Sequence, residues 1–418
     1  MKTITPTKNW RPNIYLFLSS QFITGITSMV VQYAIIWYLT KETGSATVLS
    51  IATLLGMLPM AVLSPFVGPL VDRWNKKALL IVPDIVAALF AIILSISGTL
   101  STHFPLWLVF ISLFVRSVAQ TFQLPTIQSI IPTMVPEKEL TKINGQLGIV
   151  QSANMIIAPA LGAFLFSLVH INILILLDVV GAILGMLILF GVSIPNNKKP
   201  TEKLNILGDT KLGLKLLVGN RGLWILTIIG AVFTMILMPA VSMYPLMTMQ
   251  YFHGTVAQAG LIEVVYSVGM LVGGAIIGVF GKWRDRMIPV LWSYLVMGIS
   301  FLFSGLIPGN KAGFIYFIGL NILGGLATPF FNTLMMAMMQ QSFPPEQLGR
   351  VLGIFNSILY ITGPLGLIFA GPLADMIGVE KLFVLAGIGT LVCGAANWLI
   401  PRARKYDIEL MNRRNTEE

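Results

Sequence analysis

Apolar residues along this chain come in long uninterrupted runs, separated by short polar turns, from about residue 13 to residue 400. Twelve such runs can be marked, over about 13–39, 46–70, 78–99, 105–131, 141–167, 171–194, 222–248, 256–280, 287–307, 313–340, 350–372 and 381–400. Each reaches the roughly 20 residues that a helix needs to cross the hydrocarbon core of a bilayer. The period-two alternation that marks a membrane β-barrel is missing within them. Helices are then the way left to satisfy the backbone in lipid. The pattern predicts an all-α membrane protein with twelve transmembrane helices.

Composition supports this reading. Of 418 residues, 56% are hydrophobic and 11% charged, where a soluble domain carries about a quarter charged. A formal charge of +10 would suit a nucleic-acid partner if it covered one face, but its placement says otherwise. With the N-terminus set in the cytoplasm, 23 of the 27 Lys and Arg fall in cytoplasmic segments. Lys41, Lys311 and Lys381 fall in outer loops, and Arg116 lies within the membrane. The positive-inside rule then predicts cytoplasmic termini and argues against an extended nucleic-acid face. The single cysteine, Cys393, sits in the last run and reads as a small buried apolar residue. The first run is too long for the apolar core of a cleavable signal, and further spans follow at once.

Two halves are visible in the spacing of the turns. Pro136-Glu137-Lys138-Glu139-Leu140 precedes the fifth run, and Pro344-Pro345-Glu346-Gln347-Leu348 precedes the eleventh, 208 residues later. The basic turn after Gly68 has a counterpart after Gly278, 210 residues later, with Lys282, Arg284, Asp285 and Arg286. Both offsets are close to half the chain. The expected organisation is a six-helix bundle over 1–194, a cytoplasmic linker over 195–221, a second six-helix bundle over 222–400 and a cytoplasmic tail over 401–418. Around Leu204–Leu217 the linker is weakly amphipathic. A cationic helix on the inner membrane face and a flexible connection are both compatible with it. The polar, mixed-charge tail is expected to be partly disordered.

Ionisable side chains inside a span are costly, so each one present is a functional candidate. Arg116 lies about eleven residues into the fourth run, near the midplane at ~1.5 Å per residue. Arginine stays charged, so it would tune a neighbouring acid and carry no proton itself. Asp178 and Glu263 each lie roughly 10 Å below the outer surface by the same arithmetic. An acid alternately hydrated and withdrawn from water suits a proton carrier, and Glu263 is the leading candidate, with Asp178 second. A structural ion pair or hydrogen bond is the competing reading for both. Asp375 falls at the outer end of the eleventh run and is expected to be solvated. His103, His170 and His253 all fall in or beside outer loops, which suits a surface role. Metal-ligand clusters, phosphate-binding glycine loops and a nucleophile with a matched base are absent, so no enzyme activity, metal or cofactor is expected.

Between the second and third runs, Gly68 is followed by Asp72, Arg73, Lys76 and Lys77. This spacing resembles the helix 2–3 loop of the major facilitator superfamily, with Asn75 where a second glycine is usual and Lys76 where arginine is usual. The resemblance implies a cytoplasmic latch built from Gly68, Asp72, Arg73, Lys76 and Lys77, with Asp84 joining it; anchoring to anionic lipid is the alternative. In the fifth run Gly145, Asn154, Ala158, Pro159 and Gly162 resemble the antiporter motif of drug exporters, with Asn154 and Ala158 replacing two glycines. Small residues at these offsets let helices approach, and proline frees a carbonyl and bends its helix. Arg116 resembles the family's fourth-helix arginine, but Gln120 comes one position late and no glycine follows.

In that fold the first, fourth, seventh and tenth helices line the cavity. The resemblance thereby marks Gln32, Trp37, Gln120, Met235, Met238, Asn332 and Met336 as cavity residues. Methionine and aromatic walls suit large apolar ligands of varied shape. Ordinary packing is the alternative for any one of the methionines.

Taken whole, the chain resembles the macrolide-efflux branch of the superfamily's drug exporters. The resemblance rests on Ala34–Thr40, Thr43-Gly44-Ser45-Ala46, the Gly68–Lys77 loop, Pro136–Leu140 and Leu348-Gly349-Arg350-Val351. It implies export of amphipathic small molecules in exchange for protons, by alternating access, in the plasma membrane of a bacterium. The expected partners are that substrate, protons and membrane lipid, with the protein a monomer and no nucleic acid bound. A proton-coupled importer or facilitator of a polar nutrient, and a transport-inactive sensor or scaffold, stay open as alternatives.

Overall fold

The structure is a computed structural model, and it describes residues 10–101, 104–194, 206–281 and 283–417. His103, Lys282, the residues before Trp10 and the linker residues 195–205 lie outside that set. So do the side chains of residues 64–66, 68, 69, 72 and 73. Among the described residues, twelve helices are long and apolar enough to cross a membrane.

The first six spans are α1 (Trp10–Thr43), α2 (Ala46–Arg73), α3 (Lys76–Leu100), α4 (Leu106–Met134), α5 (Leu140–Leu168) and α6 (Leu177–Gly191), α6 being preceded by a short turn of helix. A surface helix α7 (Ile206–Gly219) follows. The remaining spans are α8 (Arg221–Ser242), α9 (Val256–Phe280), α10 (Met287–Leu306), α11 (Lys311–Gln341), α12 (Pro345–Ile377) and α13 (Val379–Leu399). The chain then continues into α14 (Tyr406–Glu417). Several helices outrun their apolar runs because polar residues at the ends remain helical beyond the hydrocarbon. The turn between α2 and α3 is two residues long, and its Asn75 caps α3 by accepting from the N–H groups of Lys77 and Ala78 at 2.9 and 3.2 Å. A side-chain cap thus stands where the family resemblance expects glycine.

The chain divides into two compact units. One comprises Met1–Glu42 with Leu54–Leu204, and the other Thr43–Thr53 with Asn205–Glu418. In the first unit Ile14, Phe17, Leu80, Ile127, Ile130 and Leu189 form a buried core. That core gathers the start of α1 and α3 and the end of α4 and α6 at one end of the unit, here called the terminal end. Asn13 secures it by bonding the backbone of Ser193 in both directions, at 2.7 and 2.8 Å. The second unit centres on rings: Tyr244 lies 5.7 to 6.1 Å from Tyr266, Phe301, Phe317 and Phe383. Outward-facing positions are apolar, as at Leu187, Phe190, Val279 and Phe369, which suits lipid as solvent.

The tail differs from its expectation. It is helical, and Asp407 is wholly buried. Its carboxylate accepts from the backbone N–H and guanidinium of Arg286, at 2.5 to 2.9 Å. Arg404 donates to Asp285 at 2.6 Å, and the Tyr406 hydroxyl meets Asn220 at 2.8 Å and Ser342 at 2.6 Å. The polar composition that suggested disorder in fact supplies partners for the basic turn between α9 and α10.

Candidate functional site

The two ionisable residues read from the fourth and sixth runs meet in the first unit. The Arg116 guanidinium donates through Nη1 to Asp178 Oδ2, and each residue is only 2% exposed. Ser28 on α1 completes the site: its hydroxyl donates to Asp178 Oδ1 at 3.1 Å, and its carbonyl accepts from Arg116 Nη2 at 3.1 Å. Glycines on α6 make this approach possible. A side chain at Gly181 would collide with Thr27, and one at Gly185 with Thr24. With both positions bare, α1 lies directly against α6, and Ser28 reaches the carboxylate one turn before Gly181. The pair is neutral as a unit, which is what lets it persist away from water. A proton arriving at Asp178 would cancel the carboxylate charge and release the guanidinium.

Among the described residues, Asp84 has its hydrogen-bond partner on α4. It is 8% exposed, on the face of α3 that packs against α4, and accepts from Gln123 Nε2 at 2.6 Å. Lys76 donates to the Ser129 carbonyl at 2.8 Å. Lys77 donates to the carbonyls of Val192 and Phe190 at 3.2 and 3.4 Å. Both lysines thus tie down the ends of α4 and α6, where unpaired carbonyls favour cations, while Asp84 lies two turns deeper. The side chains of Gly68, Asp72 and Arg73 fall outside the described set.

Most of the antiporter-like stripe faces α1. Gly25 of α1 packs on the buried Asn154, Ala158 is fully buried, and a Cβ on Gly162 would lie 3.2 Å from the Trp37 ring. Pro159 is buried beside them, whereas Gly145 has open space where a side chain would go. Trp37, expected on a cavity wall, is buried in this seam. It stacks on Tyr33 at 5.5 Å and meets the edge of Phe166 at 6.5 Å. Gln32 is half-buried and Gln120 exposed.

In the second unit Glu263 is half-buried on α9, within electrostatic reach of Tyr244 and Tyr266, and makes no ion pair among the described residues. The Tyr266 hydroxyl is shared with Thr328 at 2.8 Å. On α11 the pattern splits by helical period: Asn332 is exposed and Met336 half-buried, while Met335, Met338 and Met339 are core residues. Met235 is exposed, and Met238 is half-buried against Gly363. Asp375 has more to do than the solvated position expected for it. Exposed as it is, it caps the start of α2, accepting from Ala46 N–H at 2.6 Å and from Thr47 N–H and Ser45 Oγ at 2.9 Å.

Sequence reasoning missed Ser28, Gln123 and Asp407. The first two are common residues in apolar runs with no local signal. The third could have been suspected from the unpaired cations of the α9–α10 turn.

Comparison with known proteins agrees with this architecture. The family model of the Major Facilitator Superfamily matches residues 17–248 and 223–411. Macrolide efflux protein A of Streptococcus pyogenes is 36% identical over 403 residues, covering 96% of this chain and 99% of that protein. Multidrug efflux pump Tap of Mycolicibacterium fortuitum is 25% identical over 418 residues, covering 96% and 99%. Among solved structures, that of nucleoside transporter NupG superposes with a TM-score of 0.72 at 14% identity, covering 92% of this chain and 97% of that one. At that identity it is the fold that is shared.

Proposed function

The chain belongs to the Major Facilitator Superfamily, and from that premise we propose that it exports amphipathic small molecules, macrolides among them, in exchange for protons. The observation that carries the proton half of this reading is the buried Arg116–Asp178 pair with Ser28. Such a pair has two stable conditions. With Asp178 ionised, the guanidinium is neutralised and the three helices are drawn together. With Asp178 protonated, Arg116 must find another partner or water, because an unpaired buried charge costs several kcal/mol, about 3–5 by the usual mutational measure. Proton binding is thereby converted into a preference for a different helix arrangement, which is what exchange by alternating access requires.

The likeness to macrolide and multidrug efflux proteins supports export and the substrate class. The exposed or half-exposed Met235, Met238 and Met336 suit an amphipathic ligand of variable shape. Glu263, within electrostatic reach of two tyrosines and without an ion pair among the described residues, is the second acid of this reading. The positive charge of the basic turns supports cytoplasmic termini in a bacterial cell.

The test uses the full chain in a host stripped of its main drug pumps. Cells expressing it are expected to accumulate less of a radiolabelled macrolide than cells expressing Asp178→Asn at matched membrane level. Collapsing the proton gradient should bring the two together. Equal accumulation in both strains before collapse would remove the proposed role of Asp178. Equal accumulation with and without the protein would remove export of macrolides.

A further inference from the structure

On the reading that protons drive export, we infer that Asp84, held by Gln123, is the inner acid of a two-step proton path through the first unit, with Asp178 as the outer acid. The geometry is that of two buried carboxyls at different depths on one four-helix wall. Gln123 follows Arg116 by seven residues on α4, about 10 Å further toward the terminal end. Asp84 stands eight residues into α3 from Lys76, about 12 Å from that end. Asp178 stands seven residues beyond Ile171, where its span begins, about 10 Å from the opposite end. The two acids thus divide the thickness of the unit between them. The helix that carries Asp84 packs against both α4 and α6, so the two acids belong to one helix cluster.

The groups facing Asp84 leave it available. Among the described residues Gln123 is its one hydrogen-bond partner, a neutral donor at 2.6 Å, and no cation pairs with it. Arg116 is committed to Asp178 and Ser28. Lys76 and Lys77 reach the carbonyls of Ser129, Phe190 and Val192. A structural carboxylate at this depth would be expected to hold a cation, as Asp178 and Asp407 do. Beside the Asp84–Gln123 pair runs a groove of about 760 Å³, lined by Trp74, Ala78, Val82, Pro83, Ala119 and Phe122. It extends from the depth of Asp84 to the α2–α3 turn. Pro83 and Phe122, the chain neighbours of Asp84 and Gln123, stand in its wall, and Trp74 stacks on Phe122 at 6.1 Å.

The transfer is of protons alone. Water at the opposite end delivers a proton to the Asp178 carboxylate, and the Arg116 ion pair opens. Water between the acids carries the proton from the Asp178 carboxyl to the Asp84 carboxylate. Asp178, ionised again, recaptures Arg116. Asp84 then returns its proton to water at the terminal end. The Gln123 amide orients the Asp84 carboxylate for both steps and is a positioning residue.

The experiment uses full-length protein in proteoliposomes, with a radiolabelled macrolide as the probe. Two rates are read: accumulation driven by an imposed pH gradient, and macrolide exchange without one. For Asp84→Asn we expect driven accumulation to fall about tenfold or more, as for loss of a proton-transfer group, while exchange continues. Asp84→Glu should recover driven accumulation. Gln123→Ala, which keeps both acids, should shift the pH profile of the driven rate and leave exchange in place. A wild-type driven rate in Asp84→Asn overturns the inference. If that variant does not fold, an unaltered pH profile in Gln123→Ala overturns it instead. Asp178→Asn is run alongside. If it alone loses the driven rate, Asp84 is structural and the proton reading stands. If wild-type protein shows no response to the gradient, the proton reading falls as well.

Discussion

At the scale of single residues, Glu263 and Asp178, the first and second candidates in the sequence, differ in what their loss should do. Asp178 neutralises Arg116 in a site where both are 2% exposed. Arg116→Ala leaves a buried carboxylate without its partner and should destabilise the protein by about 3–5 kcal/mol. The double variant Arg116→Met with Asp178→Leu removes both charges and should regain most of that stability in thermal unfolding in detergent, while driven transport stays lost. Among the described residues Glu263 holds no ion-pair partner that its removal would strand, so Glu263→Gln should unfold no earlier than wild type. A large loss of stability in Glu263→Gln would mean that a neighbour depends on its charge. Helix arithmetic on the sequence was enough to place Arg116 and Asp178 at compatible depths. It could not supply their rotation about the helix axes. That depends on Gly181 and Gly185 admitting Thr27 and Thr24, a contact between residues more than 150 positions apart.

Whole elements were legible where lipid dictates them and illegible where they pair at long range. Twelve spans followed from run length and the missing period-two alternation, because helices and closed barrels are the arrangements that satisfy the backbone in hydrocarbon. The α5 stripe was readable as a close-packing face, and most of it seats α1. Gly162 lies under Trp37, whereas Gly145 faces open space. Gly162→Leu should therefore displace α1 and reduce folded protein in the membrane. Gly145→Ala should be neutral or stabilising by up to about 1 kcal/mol, the usual helix-propensity gain over glycine. Equal damage from both variants would mean the stripe acts as a whole. The tail could not be read from composition, because Asp407 finds Arg286 121 residues back along the chain. Asp407→Asn should lower the melting temperature far more than Glu409→Gln on the exposed side of the same helix, since only the first strands a buried guanidinium.

For the whole molecule, the repeat suspected from two short turns gains a third pair of marks. In the first unit Trp74 stacks on Phe122, and in the second Trp283 packs on Phe330, with ring centroids 6.1 and 5.9 Å apart. The second pair follows the first by 209 and 208 residues, the offset of the loop repeats. In each unit the tryptophan comes from the turn between the second and third spans and the phenylalanine from the fourth. Agreement between internal packing and sequence offset supports two halves of like topology, as parallel repeats in transporters require.

The placement of the cations predicts which side of the membrane each turn faces. Asn75 sits in the basic turn between α2 and α3, and Asn310 in the turn before α11, where Lys311 is the only nearby cation. Each Lys or Arg near an anionic inner leaflet contributes about 1 kcal/mol, so a reversed orientation would forfeit several such contacts at every basic turn. On a Cys393→Ser background, Asn75→Cys should resist an impermeant thiol reagent in intact cells and react after permeabilisation. Asn310→Cys should react without it. Labelling of Asn75→Cys in intact cells would invert the orientation, and with it the direction assigned to the path from Asp178 to Asp84. An inward proton gradient would then load Asp84 first, and Asp178 would become the acid that releases protons inside.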